Sequence, residues 1–328
     1  MTVAELLADP RFLLHRIDPV AGMATFVPTA PERLSKPSFI DGRTDFSTAP
    51  PVEVSFDTLL QTEPIRPPGP NRMIFHVAFC GSTLLARLVE QEGASFVLKE
   101  PNALVDLANW KSSGVDERFG PVLRFALGSL RRPWSAEDLV VVKPSNWVNN
   151  LLGELATDPA GLRPLFITMA PRAYAIAVMR GGRDRLAFAA RTAAHLAPML
   201  PSGREWLQSA IAATSDPIGR ATNLALVALR VQERLFSTTF PAAGAVTLDA
   251  ETISARPSEA IRRADSILKL DLDMERACAD ASERAAINAK RPGFAFSADA
   301  REHEDQEVVR HHGPTIDASL AWAARVLA

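Results

Sequence analysis

An apolar run from Met73 to Ala78 breaks at Gly81, passes two hydroxyls, Ser82 and Thr83, and continues as an amphipathic stretch to Val89. A strand, a tight glycine turn with small hydroxyls, and then a helix is how a chain builds a cradle for an anion. Backbone N–H groups of the turn and the positive end of the helix dipole both face the charge. The turn is not a Walker A motif, which needs a Gly, four residues and then Gly-Lys-Ser/Thr; here no Lys follows Gly81. The stretch therefore points to a phosphate or phosphosulfate rather than to the β- and γ-phosphates of ATP with Mg²⁺. The same residues also suit an ordinary strand-to-helix turn with Ser82 or Thr83 as N-cap, so the choice rests on the rest of the chain.

A chain of 328 residues holds one large domain or two small ones. Its 47% apolar and 23% charged residues are ordinary for a protein that buries a large core. A formal charge of −2 argues against a general nucleic-acid binder, which carries a basic excess. Cys80 and Cys278 are the only cysteines, which allows no disulfide framework and no cysteine-rich metal site and suits a reducing compartment. The longest stretches free of charged residues, Met73–Ala86 and Leu235–Leu248, are shorter than the ~20 residues of a membrane helix. Met1-Thr2-Val3-Ala4-Glu5 lacks a basic region followed by an apolar one, so no secretory signal is expected. The expected location is cytoplasmic, with neither membrane nor nucleic acid as partner.

Residues 1–70 are rich in proline, as in Ile65-Arg66-Pro67-Pro68-Gly69-Pro70. Proline interrupts helices and ladders, so this part is expected to be an extension packed on the core. It would hold a short helix over Val3–Leu7 and a few extended pieces. Residues 71–328 alternate. Apolar runs at Met73–Ala78, Ser95–Leu98, Leu139–Val142, Ala173–Met179 and Gly244–Leu248 predict strands. Helical spacing predicts helices at Ser82–Glu92, Pro101–Trp110, Glu117–Leu130, Val148–Thr157, Arg183–Leu196, Glu205–Phe236, Pro257–Lys269, Met274–Ala289 and Thr315–Leu327. Strands apolar on both faces and separated by helices predict an α/β fold, a parallel sheet of about five strands covered on both sides.

In such sheets ligands bind beyond the carboxyl ends of the strands. The first predicted strand ends in the Gly81 turn. The others end at Lys99-Glu100-Pro101, at Lys143-Pro144-Ser145 and at Arg180-Gly181-Gly182-Arg183-Asp184. Converging cations around an anion turn suit a multiply charged anion. Strand exits into solvent are also commonly charged, which is the plainer explanation.

These residues together resemble the sulfotransferase superfamily, whose members use 3′-phosphoadenosine-5′-phosphosulfate as sulfuryl donor on a P-loop-like three-layer α/β/α fold. Ala78-Phe79-Cys80-Gly81-Ser82-Thr83 is similar to the family's phosphosulfate loop, Pro-Arg/Lys-Ser-Gly-Thr/Ser-Thr. Arg180-Gly181-Gly182-Arg183-Asp184 resembles its Arg-Asp-Pro-Arg-Asp segment at the 3′-phosphate. Leu248-Asp249-Ala250-Glu251-Thr252 with Pro257 resembles a late family segment, and Lys99-Glu100-Pro101 a Glu-Pro element of bacterial and carbohydrate sulfotransferases. The likeness covers roughly residues 72–270. It implies strand order 2-3-1-4-5, with Lys143 and Arg180 on the strands flanking the loop. It also implies a small-molecule or carbohydrate acceptor and a donor that needs no metal. Cys80, Gly81, Ser82 and Thr83 would then hold the 5′-phosphosulfate, and Arg180 and Arg183 the 3′-phosphate. Lys99, Glu100 and Lys143 would carry the chemistry, Glu100 as base.

Three positions depart from the family. Phe79 stands where the loop has Lys or Arg, Ser145 where cytosolic members have a catalytic His, and Phe188 where a Ser binds the 3′-phosphate. Lys99 or Lys143 is the expected source of the missing charge. A P-loop kinase and a non-catalytic nucleotide-binding scaffold of the same fold remain alternative readings. His76 is expected as a core histidine, His311-His312 as a solvated turn, and Ala221–Phe236 as a core stripe. The acceptor is expected against Trp110–Arg132 and Ala194–Glu205.

Overall fold

The computed structural model describes residues 2–62, 67, 69–135, 138–279, 281–286 and 298–328. The chain opens with the helix Val3–Ala8, closed by a capping box in which Thr2 and Glu5 bond each other's backbone N–H. Strands β1 (Phe12–Asp18), β2 (Met23–Pro28) and β3 (Val52–Ser55) follow as an antiparallel sheet in that order. Their buried residues Leu14, Ile17 and Phe26 belong to the same apolar cluster as Phe75, Val97 and Val141 of the central sheet. Arg132 pins this segment, donating to the carbonyls of Leu7 at 2.6 Å and Asp9 at 2.9 Å.

The centre is a five-stranded parallel sheet: β4 (Asn71–His76), β5 (Ser95–Lys99), β6 (Leu139–Lys143), β7 (Leu162–Thr168) and β8 (Thr247–Asp249). The order is β5-β6-β4-β7-β8, which is the 2-3-1-4-5 arrangement of a P-loop-like α/β/α fold. β4 and β5 are buried almost throughout, because helices cover both faces and leave no polar side to the strands.

The fourth strand differs from the expectation. Ala173–Met179 lies in a helix, Pro171–Arg180, and the strand is Leu162–Thr168. Pro171 starts the helix, and its buried residues Tyr174, Ala175, Ala177 and Val178 follow the helical period. Pro164 disguises the true strand, since proline donates nothing to a ladder. It is tolerated because β8 pairs only with Phe166–Thr168, so β7 has no partner on that side at Pro164.

Other boundaries shift for local reasons. The single helix expected over Glu205–Phe236 is two, Gly203–Ala212 and Pro217–Thr239. Asp216 caps the second through Ile218 N and Gly219 N, and Pro217 occupies its first turn. The stretch Val148–Thr157 begins as a 3₁₀ turn, Asn146–Leu151, and continues as Leu152–Ala156. Within the range predicted as Met274–Ala289 the described residues form helices over Met274–Ala279 and Ala281–Ala286, and residues 280 and 287–289 lie outside the described residues. The last helix runs over Ala298–Val326, so His311, exposed, and His312, half-buried, are helical residues and not a turn. Ile316 and Trp322 of that helix bury against Met179, Leu196, Trp206 and Val227, which brings its first turns beside the central sheet. Among the described residues no helix is long and apolar enough to cross a membrane.

Candidate active site

A cleft of about 1240 Å³ opens beyond the carboxyl ends of the parallel strands, centred on the turn after β4. Phe79 and Gly81 both have left-handed backbone, φ 65° and 80°. For Phe79 this costs about 1–3 kcal/mol, borne by the packing of its ring. The helix Ser82–Leu88 has Gly81 as N-cap with no side-chain cap bond. Ser82 and Thr83 are therefore not caps. They lie in the first turn, 5% and 4% exposed, and line the cleft. Cys80 is buried and donates from Sγ to Val77 O at 2.7 Å. Burial pushes its thiol up to about 11, so it is inert and offers the site only its backbone. His76 is buried, its Nε2 3.0 Å from Pro144 O, yet its ring reaches the cleft wall.

Two strand ends on one side of the turn behave differently. Lys99, expected in the chemistry, is fully buried and absent from the cleft wall. Its ammonium donates to Ser35 O at 2.7 Å and to Glu90 at 3.0 Å. Burial pushes its pKa down against the pull of Glu90. Its bonds to Ser35 and Glu90 hold Lys99 out of the cleft, whereas Glu100 turns into it on a left-handed φ of 59°. There the Glu100 carboxylate meets the Lys143 ammonium from the end of β6, and the ammonium also lies over Phe39, 5.4 Å from its centroid. Phe39, Asp41 and Arg43 come from the N-terminal segment, anchored by Ile40 N donating to Lys99 O at 2.8 Å. Asn102, Val105, Asn109 and Trp147 complete this wall. It is not drawn from Trp110–Arg132 or Ala194–Glu205.

The other side of the turn corrects the sequence reading of the arginines. β7 ends at Thr168, and the next residue, which lines the cleft, is Met169. Counted from that end, the Arg-Asp-Pro-Arg-Asp pattern falls on Met169-Ala170-Pro171-Arg172-Ala173, and eight residues on stands Ala177. Arg180 is thus not at a strand end. It closes the helix Pro171–Arg180 and still reaches the cleft, paired there with Asp305 and with Glu304 at 3.7 Å. Arg183 is exposed and does not line the cleft, whereas Arg185, two residues on, does. Arg301 from the last helix joins them. Arg185 and Arg301 both have their pKa lowered, first by burial and then by the charge of Arg180. Three guanidiniums gather here with the carboxylates of Asp184, Glu304 and Asp305, so an anion entering this end would exchange with carboxylates already paired to the arginines. Asp249, the last residue of β8, caps the helix Ala250–Ala255 by accepting from Glu251 N at 2.7 Å, and Glu251 and Ser254 close the cleft at that end.

Arg185, Arg301, Phe39 and Trp147 escape sequence reasoning because no local motif marks them. Arg185 alone had a nearby signal, since it continues the Arg180–Asp184 segment. Among the described residues no group of three or more His, Cys, Asp or Glu is arranged to hold a metal ion.

Trp147 links this wall to the pH. It stacks on His195 with ring centroids 3.8 Å apart and planes 5° apart. Burial lowers the His195 pKa below its usual 6.5, against a raising contact with the Trp147 carbonyl. The unfolded chain then binds more protons than the folded one below that value, so stability is complete above it and falls as the pH drops through it. His15, also lowered by burial, adds to the same slope. The unfolding midpoint is expected to fall between about pH 7.5 and 5.5, less steeply in His195→Gln. An unchanged slope in that variant removes His195 as the cause.

No family model and no curated protein matches this sequence. Among solved structures the chain is similar to a sulfotransferase from Alicyclobacillus acidocaldarius, at 15% identity and a TM-score of 0.35, over 77% of this chain and 94% of that one.

Proposed function

We propose that this protein is a sulfotransferase-like enzyme, moving a sulfuryl group from 3′-phosphoadenosine-5′-phosphosulfate to a hydroxyl or amine of a small-molecule or carbohydrate acceptor. The observation that carries this reading is the division of the cleft. An uncapped glycine turn lies in the middle, guanidiniums lie on one side, and the Lys143–Glu100 pair lies on the other. A donor with two separated anionic groups and an acceptor that must lose a proton match those three parts.

The backbone from Cys80 to Thr83 and the Ser82 and Thr83 hydroxyls hold the phosphosulfate. Arg180 and Arg301 take the 3′-phosphate, which displaces Glu304 and Asp305. Glu100 accepts the acceptor's proton. The acceptor's oxygen or nitrogen forms the new bond to sulfur as the bond from sulfur to the bridging oxygen breaks, and that oxygen keeps the electron pair. Lys143 offsets charge on the moving group. Positioning and charge carry most of such a transfer.

3′-Phosphoadenosine-5′-phosphate is expected to stabilise the protein by about 2.7 kcal/mol at one hundred times its Kd, and ATP with Mg²⁺ by much less. Calorimetry or thermal shift with these ligands and GTP checks it. A larger effect of ATP with Mg²⁺ moves the assignment to a P-loop kinase. Binding without transfer to any acceptor is the second reading, favoured by Phe79 and Ser145 standing where catalytic groups were expected.

A further inference from the structure

Phe79 stands at the loop position where the resemblance implies a cation, and an apolar ring there stabilises no charge. The ring is covered, however. The guanidinium of Arg185 lies over it, 4.9 Å from its centroid, and Phe188 meets its edge at 6.0 Å. An arginine within about 6 Å of a ring face is held by the ring's quadrupole. Two more contacts aim the same side chain. Arg185 Nη1 donates to Ala177 O at 2.7 Å, taking one of the guanidinium's donors. Its stem crosses Gly181, where an added Cβ would stand 1.9 Å from Cδ and 2.2 Å from Nε of Arg185. The φ of Gly181 is −86°, open to any residue, so what glycine provides here is space. Phe79 and Arg185 both face the cleft beside Gly81.

We propose that Arg185, carried on Phe79 and passed across Gly181, is the cation of the anion site, supplying from the helix Gly182–Leu196 the charge the loop lacks. Its chemical role rests on the sulfuryl transfer proposed above. When the bond between sulfur and the bridging oxygen breaks, the leaving phosphate gains negative charge, and a guanidinium at the loop stabilises it. The Arg180–Asp184 segment thus matters at Gly181 and one residue past its end, and Phe79 is a platform rather than a defect.

The test measures binding of inorganic pyrophosphate and of 3′-phosphoadenosine-5′-phosphate by calorimetry. The proteins are wild type, Arg185→Ala, Gly181→Ala and the double variant Phe79→Lys/Arg185→Ala, each with its unfolding midpoint. Arg185→Ala is expected to weaken both probes roughly tenfold or more. Gly181→Ala should shift affinity the same way, and Phe79→Lys should restore much of what Arg185→Ala lost. Wild-type affinity in both Arg185→Ala and Gly181→Ala overturns the proposal, as does a loss in Arg185→Ala that Phe79→Lys leaves unrepaired. Should Arg185→Ala not fold, Gly181→Ala decides alone. A wild type that binds pyrophosphate through Arg185 but ignores the nucleotide keeps the cation site and removes the sulfuryl-donor reading. A wild type that binds neither probe overturns both.

Discussion

Lys143→Met is expected to lower sulfate release from 3′-phosphoadenosine-5′-phosphosulfate by about 10²–10³-fold, while affinity for the desulfated nucleotide changes only several-fold. Losing one preorganised charge at a transfer site has about that effect on rate. Lys143 is 1% exposed, faces the cleft, and meets Glu100 there. Methionine keeps the stem packed and removes only the ammonium. The ligand's other contacts, to the turn and to the arginines, remain. A variant that turns over at the wild-type rate would remove Lys143 from the chemistry, and one that also loses all nucleotide binding would make it a holding group.

Lys99→Ala is expected to do the opposite, lowering stability by about 3–5 kcal/mol without altering the affinity of the folded protein for the same nucleotide. Removing one member of a buried ion pair strands the other charge. Here it strands Glu90, whose pKa burial already raises. It also frees the Ser35 carbonyl, which ties the helix Pro31–Ser35 to the end of β5. Replacing both partners, Lys99→Met with Glu90→Leu, should recover most of the loss, since a buried pair is often no better than apolar side chains of its size. Urea midpoints for the three proteins check this. A fall in nucleotide affinity in the folded single variant, with stability intact, would return Lys99 to the site.

The two lysines have the same local signature, a cation closing an apolar strand, and nothing in either segment separates them. β5 and β6 even pair them side by side, Lys99 opposite Lys143. What separates them is the partner each ammonium finds: Glu90 and Ser35 for one, Glu100 and the open cleft for the other. The arginines tell the same story. Arg180 looked like a strand end because Ala173–Met179 is apolar, yet small alanines at helical spacing after Pro171 make a helix. The strand itself carried Pro164, accommodated because β7 has β4 but no β8 residue beside it at that position.

Four of the five parallel strands, the turn at Gly81 and the place of the cleft at the carboxyl end of the sheet were legible in the residues alone. They follow from short-range causes: apolar period, glycine's backbone freedom at φ 80°, and the chirality of parallel crossovers. The membership of the site was not legible. Phe39 arrives from the N-terminal segment, Arg185 from the helix Gly182–Leu196 by way of the space over Gly181, and Arg301 with Glu304 from the last helix. Such residues meet because burying Ile316, Trp322 and the strands' apolar faces brings distant segments together. That burial depends on area and shape, is blind to sequence distance, and leaves no local pattern to find.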